Sequence, residues 1–150
     1  MNQSTREINN FFAYGTLLFP EVYQHFLGPD AVWEQAKLSD YQRLSVDGGD
    51  ACSVPAIVKN TGTSVDGKVF FGIDARCFEL LDHFEDIDNG DYLREVVSIE
   101  MPDGTTASAQ TYIAGPSLEH SLGGNWCPDT FCERCLAEFV AKVLPHYLST

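Results

Sequence analysis

Basic residues are scarce in this sequence. Lys and Arg together number 9 against 22 Asp and Glu, which gives a formal net charge of −13 over 150 residues. A nucleic-acid-binding protein needs a basic patch or stripe, and the sequence contains none. An anionic membrane surface would repel such a chain for the same electrostatic reason. The composition therefore predicts neither nucleic acid nor a membrane surface as a partner.

Long hydrophobic runs are also lacking. No apolar stretch approaches the roughly 20 residues that cross a bilayer, and the N-terminal stretch MNQSTREINN lacks the apolar centre of a signal peptide. The five cysteines are odd in number and lie mostly in apolar contexts, which fits a reduced protein better than a disulfide framework. We therefore expect a cytoplasmic protein.

Recognisable metal and nucleophile motifs are missing too. Cys127, Cys132 and Cys135 are spaced C-x4-C-x2-C, with His120 and His146 nearby, but structural zinc sites usually combine two closely spaced pairs. Cys132 and Cys135 also fall on the apolar side of a predicted helix, where cysteine behaves as a small hydrophobe. No G-x-S-x-G motif is present. We expect no metal and no other cofactor.

The sequence has enough apolar residues for one core. It is 44% hydrophobic and 12% aromatic, and a domain of this length buries roughly two thirds of its unfolded surface. We predict a single domain over residues 1–150, with residues 1–8 as a flexible polar leader. Strands joined mostly by short turns indicate an α+β fold, a mixed and largely antiparallel sheet or small barrel of about six or seven strands with helices packed outside.

Strand predictions follow from apolar and β-branched runs. These runs are NFFAYG, VPAIVKN, VFFGID, YLREVVSIEM and TASAQTYIAG, and a weaker pattern covers residues 31–46. The pair Asp66-Gly67 predicts a tight turn before the third run. Residues 102–104, Pro-Asp-Gly, predict a turn between the last two runs.

Helices are predicted in three places. The first begins at Pro20, and the second, ARCFELLDHFE, is capped by Asp74. The third is an amphipathic C-terminal helix that begins near Asp129 or Thr130 and is broken or kinked at Pro145.

An acidic stretch, LDHFEDIDNGDYLREV, spans residues 81–96 and holds six carboxylates. A calcium loop starting at Asp86 fails at positions that require an oxygen ligand, a glycine and a final glutamate, so Asp86 to Asp91 is predicted to form a solvated turn. Glu85 differs because it follows Phe84 at a helix end. If it is drawn inward, its raised pKa suits proton transfer near neutral pH, although an exposed Glu is the commoner case.

The stretch FAYGTLL, residues 12–18, places a glycine directly after a predicted strand. Gly15 lets the backbone bend so that N–H groups point into a shared concavity, which can hold an anion or a developing oxyanion. An ordinary turn that requires glycine is an equally good explanation. The motif alone leaves both readings open.

The order of several motifs adds a resemblance. YGTL at residues 14–17 is followed by LDHFE at residues 81–85 and then by Tyr92 and Arg94 in the order Y-x-R. Further matches are VPAIV, GKVFFGID, TYIAG and GNW, in the same order along the chain. Over residues 10–144 the sequence resembles the gamma-glutamylcyclotransferase-like family, in its avirulence-induced-gene-like branch.

This resemblance implies a small mixed barrel with flanking helices and a cavity at one end. It implies a small-molecule γ-glutamyl substrate, whose own α-amine attacks its γ-carbonyl and releases 5-oxoproline and a free amine or amino acid. Glu85 is implied as the acid/base residue. The implied substrate-binding residues are Tyr14, Gly15, Thr16, Leu17, Tyr92, Arg94 and Tyr112.

Some of these assignments keep alternatives. Arg94 pairs with a substrate carboxylate, with Glu95 or a neighbouring acid, or forms an ordinary surface ion pair. The DIDNGD segment before Tyr92 stands where family members often have a compact F-E-G link, which leaves the preferred substrate open. The alternative function is a non-catalytic member that binds a small anionic metabolite in the same cavity. Calcium binding at the acidic loop is a third possibility.

Overall fold

Five strands close into a barrel in the computed structural model, which describes residues 8–46, 52–85 and 87–145. Around the barrel they follow the order β1-β3-β2-β4-β5. The β1–β5 pairing is parallel and the other pairings are antiparallel, so the predicted mixed, largely antiparallel barrel is confirmed. The strands are β1 (Phe11–Ala13), β2 (Trp33–Ser45), β3 (Pro55–Phe70), β4 (Tyr92–Glu100) and β5 (Thr106–Ala114).

The predicted number of six or seven strands was wrong, because β3 is one long strand over the residues where we predicted two. The predicted turn at Asp66-Gly67 lies inside β3, and both residues pair with β2. Gly67 is needed for a close approach. A Cβ there would lie 2.2 Å from the Ala13 carbonyl oxygen and 2.8 Å from the Phe12 ring. A glycine within a strand often marks such an approach and no turn.

Within the described residues, helices pack on the outside of the barrel. They are α1 (Pro20–Leu27), α2 (Ala75–Phe84), α3 (Pro128–Arg134) and α4 (Leu136–Glu138), which continues as a π-helical turn over Phe139–Val143. The predicted cap of α2 is confirmed, because the Cys77 N–H donates to Asp74 Oδ1 at 2.9 Å. Among the helices of the described residues, none is long and apolar enough to cross a membrane.

The C-terminal helix is interrupted earlier than predicted. The observed interruption lies at Cys135, whose φ of −129° and ψ of −24° separate α3 from α4. Pro145 is the last described residue of this segment, so the predicted break or kink there stays a prediction. Cys135 forms a disulfide with Cys52, 83 residues away in sequence, so the prediction of reduced cysteines was wrong for this pair. The barrel brings the loop after β2 next to the C-terminal helices, a contact that cysteine spacing does not reveal.

The disulfide also removes Cys135 from the C-x4-C-x2-C set, while Cys127 and Cys132 are exposed free thiols. Across residues 8–46, 52–85 and 87–145, no group of three or more His, Cys, Asp or Glu is arranged to hold a metal ion. The predicted leader, apart from Ile8, and Asp86 of the acidic turn lie outside the described residues.

Aromatic packing fixes α2 against the barrel. Phe78 on α2 meets Phe11 of β1 edge-on, with ring centroids 6.3 Å apart, and Phe11 meets Tyr112 of β5 at 5.9 Å. Each such pair adds about 0.5–1.5 kcal/mol beyond the burial of its surface. Phe78 and Phe11 are both buried, so truncating Phe78 would release the helix whose C-terminal end carries Glu85.

Candidate active site

A pocket of about 200 Å³ opens where β1 ends. Its walls are mostly aromatic and aliphatic, and Glu85 and Asp91 are the two carboxylates that line it. The predicted site residues are brought together here with the exception of Arg94. Those in the lining are Tyr14, Gly15, Thr16, Leu17, Glu85, Tyr92 and Tyr112.

Glu85 is placed by the end of α2. It is the residue directly after the helix, and its N–H donates to the Leu81 carbonyl at 2.8 Å. The helix end is anchored by Phe84, whose ring centroid lies 4.8 Å from that of Phe26 and 6.4 Å from that of Phe139. This aromatic anchoring turns Glu85 into the pocket instead of leaving it in the acidic turn.

The environment of Glu85 changes its proton affinity. Glu85 is half-buried as a residue and lines the pocket. Burial, assisted by the negative charge of Asp82, raises the pKa of Glu85 from 4.5 to about 8. Desolvation disfavours the ionised form, and a like charge adds to that effect. Glu85 can therefore both accept and release a proton near neutral pH.

The backbone after β1 forms a tight turn. The Leu18 N–H donates to the Gly15 carbonyl at 2.9 Å and the Phe19 N–H donates to the Thr16 carbonyl at 3.3 Å. The first N–H groups of such a turn have no partner within it, so those of Gly15, Thr16 and Leu17 are not consumed by the turn itself. Glycine is required at position 15 because a Cβ would lie 2.7 Å from Pro55 Cγ.

The three tyrosine hydroxyls tie together the strand ends around the pocket. Tyr14 donates to the Tyr112 carbonyl at 2.5 Å, and Tyr92 donates to the Pro55 carbonyl at 2.7 Å. Tyr112 donates to Asp82 Oδ1 at 2.7 Å. Burial is the first cause of a raised pKa at both Tyr14 and Tyr112. The hydroxyls of Tyr14 and Tyr112 stay protonated, and all three hydroxyls hold the pocket walls in place.

Arg94 lies outside the pocket lining. Its Nη1 donates to both carboxylate oxygens of Asp82 at 2.9 Å, and its guanidinium carbon lies 4.9 Å from the centre of the Phe78 ring. The structure thus places Arg94 beside Asp82, a partner that we did not predict from the sequence. No local signal reveals this pairing, because Asp82 lies on α2 and Arg94 on β4.

A family model described as "Gamma-glutamyl cyclotransferase, AIG2-like" matches residues 11–128, which include every site residue predicted from the sequence. The chain belongs to the AIG2-like gamma-glutamyl cyclotransferase family. It is 32% identical to AIG2-like protein D of Arabidopsis thaliana over 124 residues, which is 81% of this chain and 78% of that protein. It is 30% identical to Protein AIG2 C of the same plant, over 84% of this chain and 73% of that protein.

Solved structures show the same architecture. The solution structure of one Arabidopsis thaliana protein superposes with a TM-score of 0.66 at 25% identity, covering 93% of this chain and 91% of the other. A structure named gamma-glutamyl cyclotransferase superposes with a TM-score of 0.60 at 20% identity, covering 95% of this chain and 86% of the other. The latter likeness establishes a shared fold.

In this AIG2-like family member, a further part of the pocket was not predicted from the sequence. It is an apolar wall formed by the residues just after β2 and just before β3, the loop after β5 and the C-terminal helices. Its members are Val46, Val54, Leu118, Phe139 and Val143. These residues are far apart in sequence and carry no motif. Only the closure of the barrel and the packing of the last helices bring them together.

The support of the YGTL turn in this AIG2-like chain was missed as well. Arg43 on β2 donates to the Tyr14 carbonyl at 2.8 Å, and its guanidinium carbon lies 5.5 Å from the centre of the Trp126 ring. The Trp126 indole N–H in turn donates to the Ser53 carbonyl at 2.8 Å. The turn that would receive a substrate is therefore braced from β2 and from the segment before α3.

Proposed function

We propose that this protein is a γ-glutamyl cyclotransferase-type enzyme. The α-amine of a γ-glutamyl substrate attacks its own γ-carbonyl, which yields 5-oxoproline and a free amine or amino acid. The observation that carries the proposal is one pocket lined both by Glu85, with its raised pKa of about 8, and by the Gly15 to Leu17 turn. Family membership supports this reaction.

The reaction needs one proton acceptor that later becomes a donor. Glu85 as a carboxylate takes a proton from the substrate α-ammonium, and the amine nitrogen then bonds to the γ-carbon. The tetrahedral intermediate collapses as Glu85 gives this proton to the leaving nitrogen and the original amide bond breaks. The regenerated carboxylate then takes the surplus proton from the ring nitrogen, which leaves the neutral ring amide of 5-oxoproline, and releases that proton to solvent. The nucleophile is part of the substrate, so the enzyme gains rate by holding a folded conformer. No cysteine or serine nucleophile is required.

The pKa of Glu85 suits this exchange. A peptide α-amine has a pKa of about 7.7–8.0, and the ionised α-carboxylate of the substrate raises the pKa of its α-amine above that range. The pKa of about 8 for Glu85 is much closer to that of the amine than its ordinary value of 4.5 is. Proton transfer becomes less uphill as the two pKa values approach each other, so one carboxyl can serve as base and then as acid. An exposed glutamate with its ordinary pKa would be a much weaker base toward this amine.

The turn supplies donors for developing charge. N–H groups of Gly15, Thr16 and Leu17 stabilise the oxyanion on the γ-carbon or hold the substrate α-carboxylate. The hydroxyls of Tyr14, Tyr92 and Tyr112 already donate to protein acceptors, so we assign these residues to shaping the pocket. Arg94 acts indirectly, through Asp82.

The pocket favours an uncharged leaving group. Its described lining contains no Lys, Arg or His, and the apolar wall of Val46, Val54, Leu118, Phe139 and Val143 is available to the departing amine. A second carboxylate on the leaving group would be buried without a cationic partner, which is costly. We propose that γ-glutamyl conjugates of apolar amines are preferred over conjugates that carry an additional carboxylate.

A panel of γ-glutamyl conjugates tests the proposal. We expect 5-oxoproline release from conjugates with apolar amines, and slower release when the same amine carries a carboxylate. If the conjugates bind, as seen by calorimetry, but none releases 5-oxoproline, the protein is a non-catalytic metabolite-binding member.

Calcium added to the same samples should leave the melting temperature unchanged, since a specific ligand of the folded state would raise it.

A further inference from the structure

Asp82 accepts hydrogen bonds from two different side chains near the pocket. It accepts one hydrogen bond from the Tyr112 hydroxyl at 2.7 Å and two from Arg94 Nη1, each at 2.9 Å. Its side chain and that of Arg94 are 30% and 29% exposed, so the pair is shielded by protein over most of its surface. Asp82 itself does not line the pocket.

The position of Asp82 relates it directly to Glu85. The two residues are three apart at the C-terminal end of α2, and residues at this spacing lie on one face of a helix. Charges on that face act on each other across one turn. The bonds from β4 and β5 fix the Asp82 charge in place, because Arg94 and Tyr112 belong to those two strands.

We infer that Asp82 is a positioning residue of the proposed reaction, holding its charge beside the Glu85 carboxyl so that Glu85 keeps a proton for the leaving amine. Arg94 and Tyr112 hold Asp82 in place, and Arg94 offsets part of its charge. This role rests on the proposed function, because it gives Asp82 a task within the same proton transfer.

Other titratable groups also surround Glu85. Glu85 interacts electrostatically with Tyr14 at the end of β1 and with Tyr112 on β5, both of which have raised pKa values and stay neutral. Asp91 and Tyr92, at the start of β4, line the same pocket. Arg43 lies farther off, against the Tyr14 carbonyl. After desolvation, Asp82 is the charge that raises the pKa of Glu85.

Two substitutions with opposite expected effects separate this role from a purely structural one. Asp82→Asn keeps an oxygen for the Tyr112 hydroxyl but removes the negative charge, so Glu85 should titrate at lower pH. Arg94→Gln leaves the Asp82 charge without its cation, so Glu85 should titrate at higher pH. If Asp82 only linked α2 to β4, both substitutions would weaken that link. They would then not shift the pKa of Glu85 in opposite directions.

The titration is measured in two ways. Carbon NMR of the Glu85 carboxyl in the protein without substrate follows its proton directly, and kcat/KM for 5-oxoproline release follows it through the acid limb of the pH profile. We expect both to move down in Asp82→Asn and up in Arg94→Gln. If neither substitution moves the NMR titration, or both move it the same way, the inference is overturned.

These readouts keep the two proposals distinguishable. If the wild-type protein releases no 5-oxoproline, the proposed function is refuted. The NMR titration would still report whether Asp82 controls the proton on Glu85. Should Asp82→Asn fail to fold, Arg94→Gln alone decides the matter, because an unmoved or lowered Glu85 titration in that variant contradicts the inference.

Discussion

Tyr112 and Asp82 are joined by a hydrogen bond of 2.7 Å from the phenolic hydroxyl to Oδ1. The bond ties β5 to the last turn of α2, and Arg94 ties β4 to the same carboxylate. Two strands and a helix are thereby held together one helical turn before Glu85. The position of the proposed acid/base residue is thus set by a polar contact as well as by the packing of Phe84.

The first prediction concerns the pH profile. Glu85, with its pKa of about 8, and the substrate amine together must carry one proton in the reactive complex. We expect kcat/KM for 5-oxoproline release to form a bell with its maximum near pH 8, falling about tenfold per pH unit far on either side. The check is an initial-rate series at constant ionic strength. A flat profile between about pH 5 and 7 would contradict a role for this carboxyl.

The second prediction links Glu85 to stability. Because its folded-state pKa is raised from 4.5 to about 8, the proton on Glu85 stabilises the fold fully below about pH 4.5, and this stabilisation is lost as the pH rises through about 8. Glu85→Gln is neutral throughout and avoids that loss. In urea unfolding, the free energy of unfolding of Glu85→Gln should rise relative to that of wild type as the pH rises, by roughly 5 kcal/mol at most. A difference that does not change with pH would refute it.

The third prediction tests the close approach at Gly15. A methyl group there would lie 2.7 Å from Pro55 Cγ and 3.1 Å from Pro55 Cδ, so Gly15→Ala should displace the turn or β3. We expect a loss of about 1–3 kcal/mol in the free energy of unfolding and a fall in kcat/KM on the order of a hundredfold.

Pro55→Ala provides the matched control for that prediction, because it removes both of the crowded ring carbons. Combined with Gly15→Ala, it should recover part of the lost stability and activity, giving a favourable coupling in the double-mutant cycle. Strictly additive losses would show that crowding against Pro55 is not the cause.

The fourth prediction concerns the disulfide between Cys52 and Cys135, which closes a loop with a sequence separation of 83 residues. Constraining a loop of this length stabilises a fold by about 4–5 kcal/mol in the chain-entropy model. Cys135→Ser should therefore lower the denaturation midpoint, and a reducing agent should lower it in wild type. Cys132→Ser, which removes an exposed free thiol, is the control and should change neither. Equal midpoints with and without reductant would count against the disulfide.

The disulfide conflicts with the predicted cytoplasmic location, because the cytosol keeps most thiols reduced. Measuring the redox state of Cys52 and Cys135 in protein extracted under alkylating conditions would show which state the cell maintains. The location itself stays a prediction from the sequence.

Local signals in the sequence were sufficient for much of the fold. The short strand before Gly15, the helix from Pro20 and the Asp74 cap each depend on neighbours within a few residues, and each is present. The hairpin turn also formed where predicted, with Gly104 at a positive φ of 89°. In these places backbone preference and tertiary structure agree, so a local reading succeeds.

Long-range contacts account for what the sequence did not reveal. Asp66-Gly67 has the pattern of a turn, but the approach of Phe12 and Ala13 makes it part of a long strand. The partners of Arg94 and Cys135 come from other elements, and their identity depends on how the barrel closes. The site motifs were found through family resemblance, whereas Asp82 and the apolar wall required coordinates.

The most direct measurement compares wild type with Glu85→Gln in 5-oxoproline release from a γ-glutamyl conjugate of an apolar amine at about pH 8. Both proteins must first show cooperative melting, so that a loss of activity cannot come from unfolding. A role for Glu85 as acid and base predicts a fall in kcat on the order of 10²–10⁴-fold. Equal rates in the two proteins, or no release by wild type, would contradict it.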